Sequence, residues 1–346
     1  EAAAGQAGEA KAGGGLDPVY AYVCSYGVAE SFTIINPFYF GDAAHAKLGK
    51  DSETYDVLKS ALNPQGAEQL ANAWPAYFGT QPMHGGPTYM GIVICFLFVL
   101  GLLIVPTRYR WWILGATLIS IMLSWGRNFQ WFSDLFFENL PKYNNFRAVS
   151  MWLTITSICM ALMSGLALAA LFRNSDNKTP KQQATTVGIA ASAIVLLLLI
   201  LAWVQPGAEL SQPQDAQAIA GFLSQVGLKN PDPQLISRLV DALPVDREQM
   251  ITSQAYKGIF ITLIAAGALI GYVMMRKSLS SKEMRPIGIG AVSLILFGLI
   301  YWDMVPVDKR YLDDDSFVKA SEQMRPFTPS VCDQAIKRDP DPNYRV

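Results

Sequence analysis

The chain has 346 residues, 51% hydrophobic and only 16% charged, with a formal net charge of −1. Soluble domains average about 25% charged residues, so this composition excludes an ordinary soluble domain, and the near-zero balance gives no case for nucleic acid or a strongly acidic partner. Cys24, Cys95, Cys159 and Cys332 show no CxxC or metal spacing, and His45 and His84 do not make a metal site, so no cofactor is evident and only a divalent cation is left open.

In chain order, residues 1–15 are low-complexity Ala, Gly and Glu, which reads as a flexible segment or loop insertion. Residues 16–88 are polar and aromatic. Within them Ser52–Leu62 and Pro64–Trp74 predict short amphipathic helices separated at Asn63-Pro64, and Pro75–Pro87 predicts irregular backbone. Six apolar runs follow, at 89–105, 111–125, 148–172, 186–204, 258–275 and 286–302, and none holds an Asp, Glu, Lys or Arg. About 20 apolar residues cross the roughly 30 Å hydrocarbon core, and a charge at its centre costs at least about 2.5–3.5 kcal/mol. The runs therefore predict six membrane spans, the second bracketed by Trp111, Trp112 and Trp125 as interfacial anchors. Cys95 and Cys159 fall inside spans as small buried hydrophobes. The expected fold class is mostly α: a polytopic transmembrane helical bundle with extracytoplasmic helical loops and the start of an outer domain at 303–346.

Nine lysines and arginines fall in the 28 residues of loops 106–110, 173–185 and 276–285, against seven in the 75 residues of 126–147 and 205–257. The denser set is expected on the cytoplasmic side. Residues 1–88, the 126–147 loop, the 205–257 insertion and the C-terminal segment then share the outer side. With no signal peptide ahead of the first run, that topology leads to the expectation that the chain is the middle of a longer protein with further spans before residue 1. Residues 213–254 predict two soluble amphipathic helices, Ala216–Val226 and Pro233–Leu243, broken at 230–233.

The 125–147 loop is the densest collection of aromatic, amide and cationic side chains. Phe129–Leu140 places Phe129, Phe132, Phe136 and Leu140 on one helical side and Gln130, Asp134 and Glu138 on another, and Pro141 stops it, so it predicts an interfacial helix. Around it stand Arg127, Asn128, Lys142, Tyr143, Asn144 and Arg147. Three cations at a membrane surface suit a phosphate, Arg as a planar fork and Lys as a point charge. The bland reading is that Arg127 and Arg147 snorkel to lipid headgroups or pair with Asp134 and Glu138. Asp134 and Glu138, four residues apart, suit acid/base work or, more ordinarily, a solvated face. His84 lies in a Gly- and Pro-rich turn, and Asp313 to Asp315 suits either a divalent cation or a solvated turn.

The stretches SYGVAESFTIINPFYFGD (25–42), TQPMHGGPTYMGIVICFLFVLGL (80–102), LSWGRNFQWFSDLFFENLPKYNNFRAVS (123–150), VDREQM (245–250) and VDKRYLDDDSFV (307–318) resemble the bacterial YfhO-type large membrane proteins. That family looks like GT-C-fold glycosyltransferases. The resemblance implies an enzyme of the bacterial cytoplasmic membrane that takes a sugar from a polyprenyl-phosphate carrier and adds it to a cell-envelope glycopolymer outside. In such folds the acidic catalytic residue sits in the first outer loop, so the resemblance places the base before residue 1. It leaves Arg127, Asn128, Lys142, Tyr143, Asn144 and Arg147 as contacts to carrier phosphate or acceptor. A non-enzymatic transporter, flippase or envelope-assembly scaffold is the competing reading; intramembrane charges or broken helices would favour transport.

The orientation has a direct test. In a chain whose own cysteines are replaced by serine, a cysteine at Gln130 is expected to react with an impermeant thiol reagent applied to intact cells, and one at Lys178 to react only after lysis. The reverse pattern would refute the topology.

Overall fold

The computed structural model describes residues 15–42, 48–74, 76–81, 86–173, 178–205, 214–228, 231–276, 284–312, 317–319 and 331–338. His45, His84 and Asp313 to Asp315 lie outside them. The chain falls into two units, Glu1–Val307 and Asp308–Val346. The second unit contains a turn in which Tyr311 and Leu312 donate to the Asp308 carbonyl, and the helix α12 (Val331–Arg338).

The first unit is helical, with no strand among the described residues. Its elements are α1 (Pro18–Ala21), α2 (Glu53–Ala61), α3 (Pro64–Ala71), α4 (Ile92–Ile104), α5 (Thr107–Ser124), α6 (Gln130–Asn139), α7 (Leu153–Arg173), α8 (Pro180–Val204), α9 (Asp215–Gln225), α10 (Pro233–Met275) and α11 (Met284–Asp308). Several starts are written locally. Ser52, Asn63 and Asp232 accept amide hydrogens two or three residues on, and Thr179 with Gln182 forms a reciprocal capping box ahead of α8. Pro64, Pro180 and Pro233 occupy the first helical turn, where a missing amide costs nothing.

All six expected spans are helices. Four of them, α7, α8, α10 and α11, are long and apolar enough to cross a membrane. The first expected span is shorter than its apolar run. Gly91 has φ 84° and breaks the helical path, so α4 begins at Ile92 and has 13 residues. At about 1.5 Å per residue it is about 20 Å long, too short for the hydrocarbon core by itself. The segment expected as a loop at 107–110 is instead the first turn of α5, which starts directly after Pro106. α10 corrects a further expectation. Its 43 residues fuse the predicted soluble helix at 233–243 with the fifth span, and Pro244 is carried inside it.

Two cores hold the unit. In the first, α4 is the central helix, packed by α5, α7, α8 and α10, with Ile92, Val93, Phe96, Leu97 and Leu100 buried. Large apolar side chains such as Ile158, Leu196, Phe260, Leu294 and Phe297 point outward from the surrounding helices, the surface a bilayer covers. The second core joins segments that the sequence analysis kept apart. Tyr55, Leu58, Leu70 and Trp74 pack with Ile219 and Leu223 of α9 and with Leu239 and Leu243 of α10.

Charged groups fasten this second core to the bundle. Arg247 is 1% exposed and forks onto Asp215 (2.9 and 3.2 Å), while its Nε donates to the Ala76 carbonyl at 3.0 Å. Burial pulls the Arg247 guanidinium below its ordinary pKa, against the opposing effect of Asp215. Asp246, also buried, accepts from the backbone of Glu53 and Thr54 at the start of α2 (2.8 and 2.9 Å). Residues 16–42, 48–74, 76–81, 125–152, 215–228 and 231–257 meet at one end of the bundle. At the other end Arg276 reaches Gln183 (2.9 Å) and Arg285 reaches the Phe172 carbonyl (2.9 Å).

Removing one partner of a buried ion pair costs about 3–5 kcal/mol, whereas replacing both with apolar groups is often neutral. Arg247→Met is therefore expected to lower the Tm in detergent by several degrees, and Arg247→Met with Asp215→Leu to recover most of it. Equal Tm values for the single and double variants would show that the pair does not fasten the helices.

Candidate functional site

The 125–147 loop is shaped by three backbone turns. Gly126 (φ 45°) turns the chain out of α5 into a 3-10 turn at Gly126–Phe129, which leads into α6. Lys142 follows Pro141 in the left-handed region (φ 65°) and opens the turn Tyr143–Asn145. Ala148 is left-handed as well (φ 67°) and opens a 3-10 turn at Val149–Trp152 ahead of α7. Ring contacts run along the whole loop from Trp125 through Phe129, Phe132, Phe136 and Tyr143 to Trp152. The helix expected at 129–140 is present as α6, with Trp131, Leu135 and Leu140 exposed and Phe129, Phe132 and Phe136 turned into the ring contacts.

Residues 16–31 are laid along this loop, a partnership with no signal in the sequence. The Leu16 amide donates to the Asn144 carbonyl at 2.8 Å. The Tyr22 hydroxyl donates to Asp134 Oδ1 at 3.0 Å, and burial, then this bond and the Asp134 charge, push the Tyr22 pKa well up, so it remains a donor. Nearer α5, the Tyr26 amide donates to the Ser124 carbonyl (2.9 Å) and Trp125 Nε1 to Ser31 Oγ (2.7 Å).

The six residues singled out from the sequence fall into two groups. In the first, the Arg127 amide is held by Ser25 Oγ (2.9 Å), and its exposed guanidinium donates to the Thr80 carbonyl at 3.1 Å. Asn128 spends its amide hydrogens on the Tyr26 carbonyl (2.8 Å). In the second, Lys142 is exposed, and its carbonyl accepts from the Asn145 amide at 3.1 Å. Tyr143 is buried, stacked on Trp152, and its hydroxyl accepts from Trp152 Nε1 at 3.2 Å; burial pushes its pKa up. Asn144 contributes its carbonyl to the Leu16 bond. Arg147 is exposed, lies 4.6 Å over the Tyr20 ring, and donates to the Tyr20 hydroxyl at 3.0 Å. Neither arginine pairs with Asp134 or Glu138. Asp134 is engaged by Tyr22 and Glu138 is exposed.

A cavity of about 270 Å³ opens beside the second group. Tyr143, Phe146, Met151, Trp152 and Ile155 supply apolar walls, and Arg147 supplies a charge.

Two acidic residues that sequence reasoning passed over are deeply engaged. Glu30 is 1% exposed and accepts from the Gly27 amide, the Tyr77 hydroxyl and Thr80 Oγ1 (2.9 Å). Asp303 is fully buried. It accepts from the Tyr89 hydroxyl (2.7 Å) and the Ile92 amide (2.8 Å), with Lys257 Nζ at 3.6 Å. Each is a lone carboxylate in sequence, and only its long-range partners distinguish it.

No family model, curated protein or solved structure matches this chain.

Ala148 stores strain at the cavity. A left-handed Ala costs about 1–2 kcal/mol, and glycine forfeits about 0.4–1 kcal/mol through the unfolded chain. Ala148→Gly is thus expected to hold or slightly raise the Tm, and Ala148→Val to lower it. A Val variant as stable as Gly would show that the turn is not strained.

Proposed function

We propose that the chain is part of a YfhO-type membrane glycosyltransferase, which transfers a sugar from a polyprenyl-phosphate carrier to a cell-envelope glycopolymer on the outer face of the bacterial cytoplasmic membrane. The observation that carries this reading is the apolar cavity opening beside Arg147 at the head of α7. An amphiphile with a hydrocarbon chain and a phosphate needs apolar walls for the one and a fork of donors for the other. Arg147 presents that fork, braced by the Tyr20 ring and hydroxyl. Exposed Lys142 and Arg127 extend the positive strip along the same loop. Charge pairing there is strengthened by the low dielectric of the surroundings.

In this reading Arg127, Lys142 and Arg147 contact carrier phosphate, while Asn128, Tyr143 and Asn144 shape the loop that carries them, since each is engaged in internal bonds. The proton of the acceptor hydroxyl goes to a carboxylate general base. Glu30 is not cast as that base, because three donors occupy its oxygens.

The transporter reading gains one observation, the buried Asp303–Lys257 pair where α10 and α11 meet the start of α4. Ionisable pairs within a bundle often mark a transport path. Here the Asp303 oxygens cap α4 and bind Tyr89, which already accounts for the carboxylate's burial.

A charge-assisted hydrogen bond contributes about 1.5–3 kcal/mol, or about 10- to 150-fold in affinity. The full-length protein in detergent is expected to bind farnesyl phosphate at least about tenfold tighter than farnesol, read by tryptophan fluorescence. Arg147→Ala should remove that preference and retain farnesol binding. In membranes, the same variant should abolish sugar transfer from a polyprenyl-phosphate donor with insertion intact. Equal binding of the two probes to the unaltered protein would refute the site.

A further inference from the structure

We infer that Glu30 is a positioning residue for Arg127, aiming its guanidinium at an anionic group through Thr80; the inference rests on Arg127 being a phosphate contact.

Three segments distant in sequence meet at Glu30. One is its own turn, 25–33. The second is 77–81, in which the Tyr77 hydroxyl donates to one carboxylate oxygen and Thr80 Oγ1 to the other. The third is 124–128, which reaches this cluster through backbone and side-chain bonds to Ser25, Tyr26 and Ser31. Arg127 closes the arrangement, since its Nη2 donates to the carbonyl of the same Thr80 whose hydroxyl is bound to Glu30. The backbone of Arg127 is thus fixed from Ser25 and its head group from Thr80; Glu30 binds Thr80 to the Gly27 amide two residues from Ser25, beside a longer contact of Thr80 Oγ1 with the Ser25 carbonyl (3.4 Å).

The chemistry favours a carboxylate for this task. A buried carboxylate costs several kcal/mol in desolvation, and among the described residues no lysine or arginine forms an ion pair with Glu30. What it offers over an amide is acceptor capacity at both oxygens, and here one oxygen takes an N–H and an O–H while the other takes an O–H. The Tyr77 hydroxyl also accepts from the Gln81 amide (3.0 Å), so Tyr77 cannot turn its own proton elsewhere without losing the turn. Burial, followed by the Glu30 charge, raises the Tyr77 pKa and keeps that proton in place. Space has been reserved for the carboxylate as well. A Cβ at Gly79 would overlap both Glu30 Oε1 and the Tyr77 hydroxyl, and one at Gly27 would crowd Glu30 Oε2.

A structural staple and a positioning residue separate in a double-mutant cycle. Glu30→Gln and Thr80→Val are each measured alone and with Arg127→Ala in the full-length protein in detergent, using farnesyl phosphate and farnesol as probes. Thr80 is exposed, and its valine variant removes only the hydroxyl, so it reports even if the Glu30 variant folds poorly. Each single variant is expected to weaken farnesyl phosphate binding about fivefold to tenfold and leave farnesol unchanged, with no further loss once Arg127 is Ala. Losses equal for both probes, or fully additive with Arg127→Ala, would overturn the positioning role alone. If Arg127→Ala itself leaves farnesyl phosphate binding intact, the phosphate role of Arg127 and this inference both fall.

Discussion

A helix end buried inside a bundle must have its amides satisfied, because an unpaired polar group in apolar surroundings costs more than most packing contacts return. α4 is that case. It is the central helix, it is too short to reach both membrane surfaces, and its first turn is enclosed by its neighbours. Asp303 meets the requirement from the far end of the unit, accepting from Ile92, while the extended Tyr89–Gly91 segment binds Asp303 through Tyr89 and Ile34 through the Met90 amide. Gly91 makes the bend that brings these groups together. The placement of α4 determines where α7, α8 and α10 pack, and so where the loops at either end emerge.

At one end those loops are not independent surface pieces. α2, α3, α9 and the first turns of α10 build a second core of soluble type, fastened by Arg247, Asp215 and Asp246. Continuity of α10 through both cores makes the second a rigid extension of the bundle. The 16–31 segment then lies against 125–147, and both arginines of that loop receive aromatic or carbonyl partners that hold their head groups outward. Preorganisation of this kind reduces the entropy lost on engaging an anion. It is the physical basis of the binding role proposed for the loop.

The candidate site was legible in part. Arg127, Lys142 and Arg147 stood out because cations are sparser in the loops expected on the outer side and their positions there carry meaning. Asn128, Tyr143 and Asn144 each make an internal bond that only the folded loop reveals. Glu30 and Asp303 could not be distinguished in the sequence from any other carboxylate. Glu30 is defined by Tyr77 and Thr80, about fifty residues away, and Asp303 by Tyr89 and Ile92, more than two hundred residues away.

The sequence by itself determined the helical class, the six apolar segments, the short helices near residues 52 and 64, and the helix before Pro141. These depend on local quantities: apolar run length, 3.6-residue periodicity, capping residues and proline. Only the tertiary structure decided that α4 starts late, that the 233–243 helix continues into a span, that α2 and α3 share a core with α9 and α10, and that Glu30 and Arg127 both bond Thr80. Each of these depends on which distant groups satisfy a buried charge or amide, and that pairing is fixed by packing in three dimensions, with no trace in the local pattern.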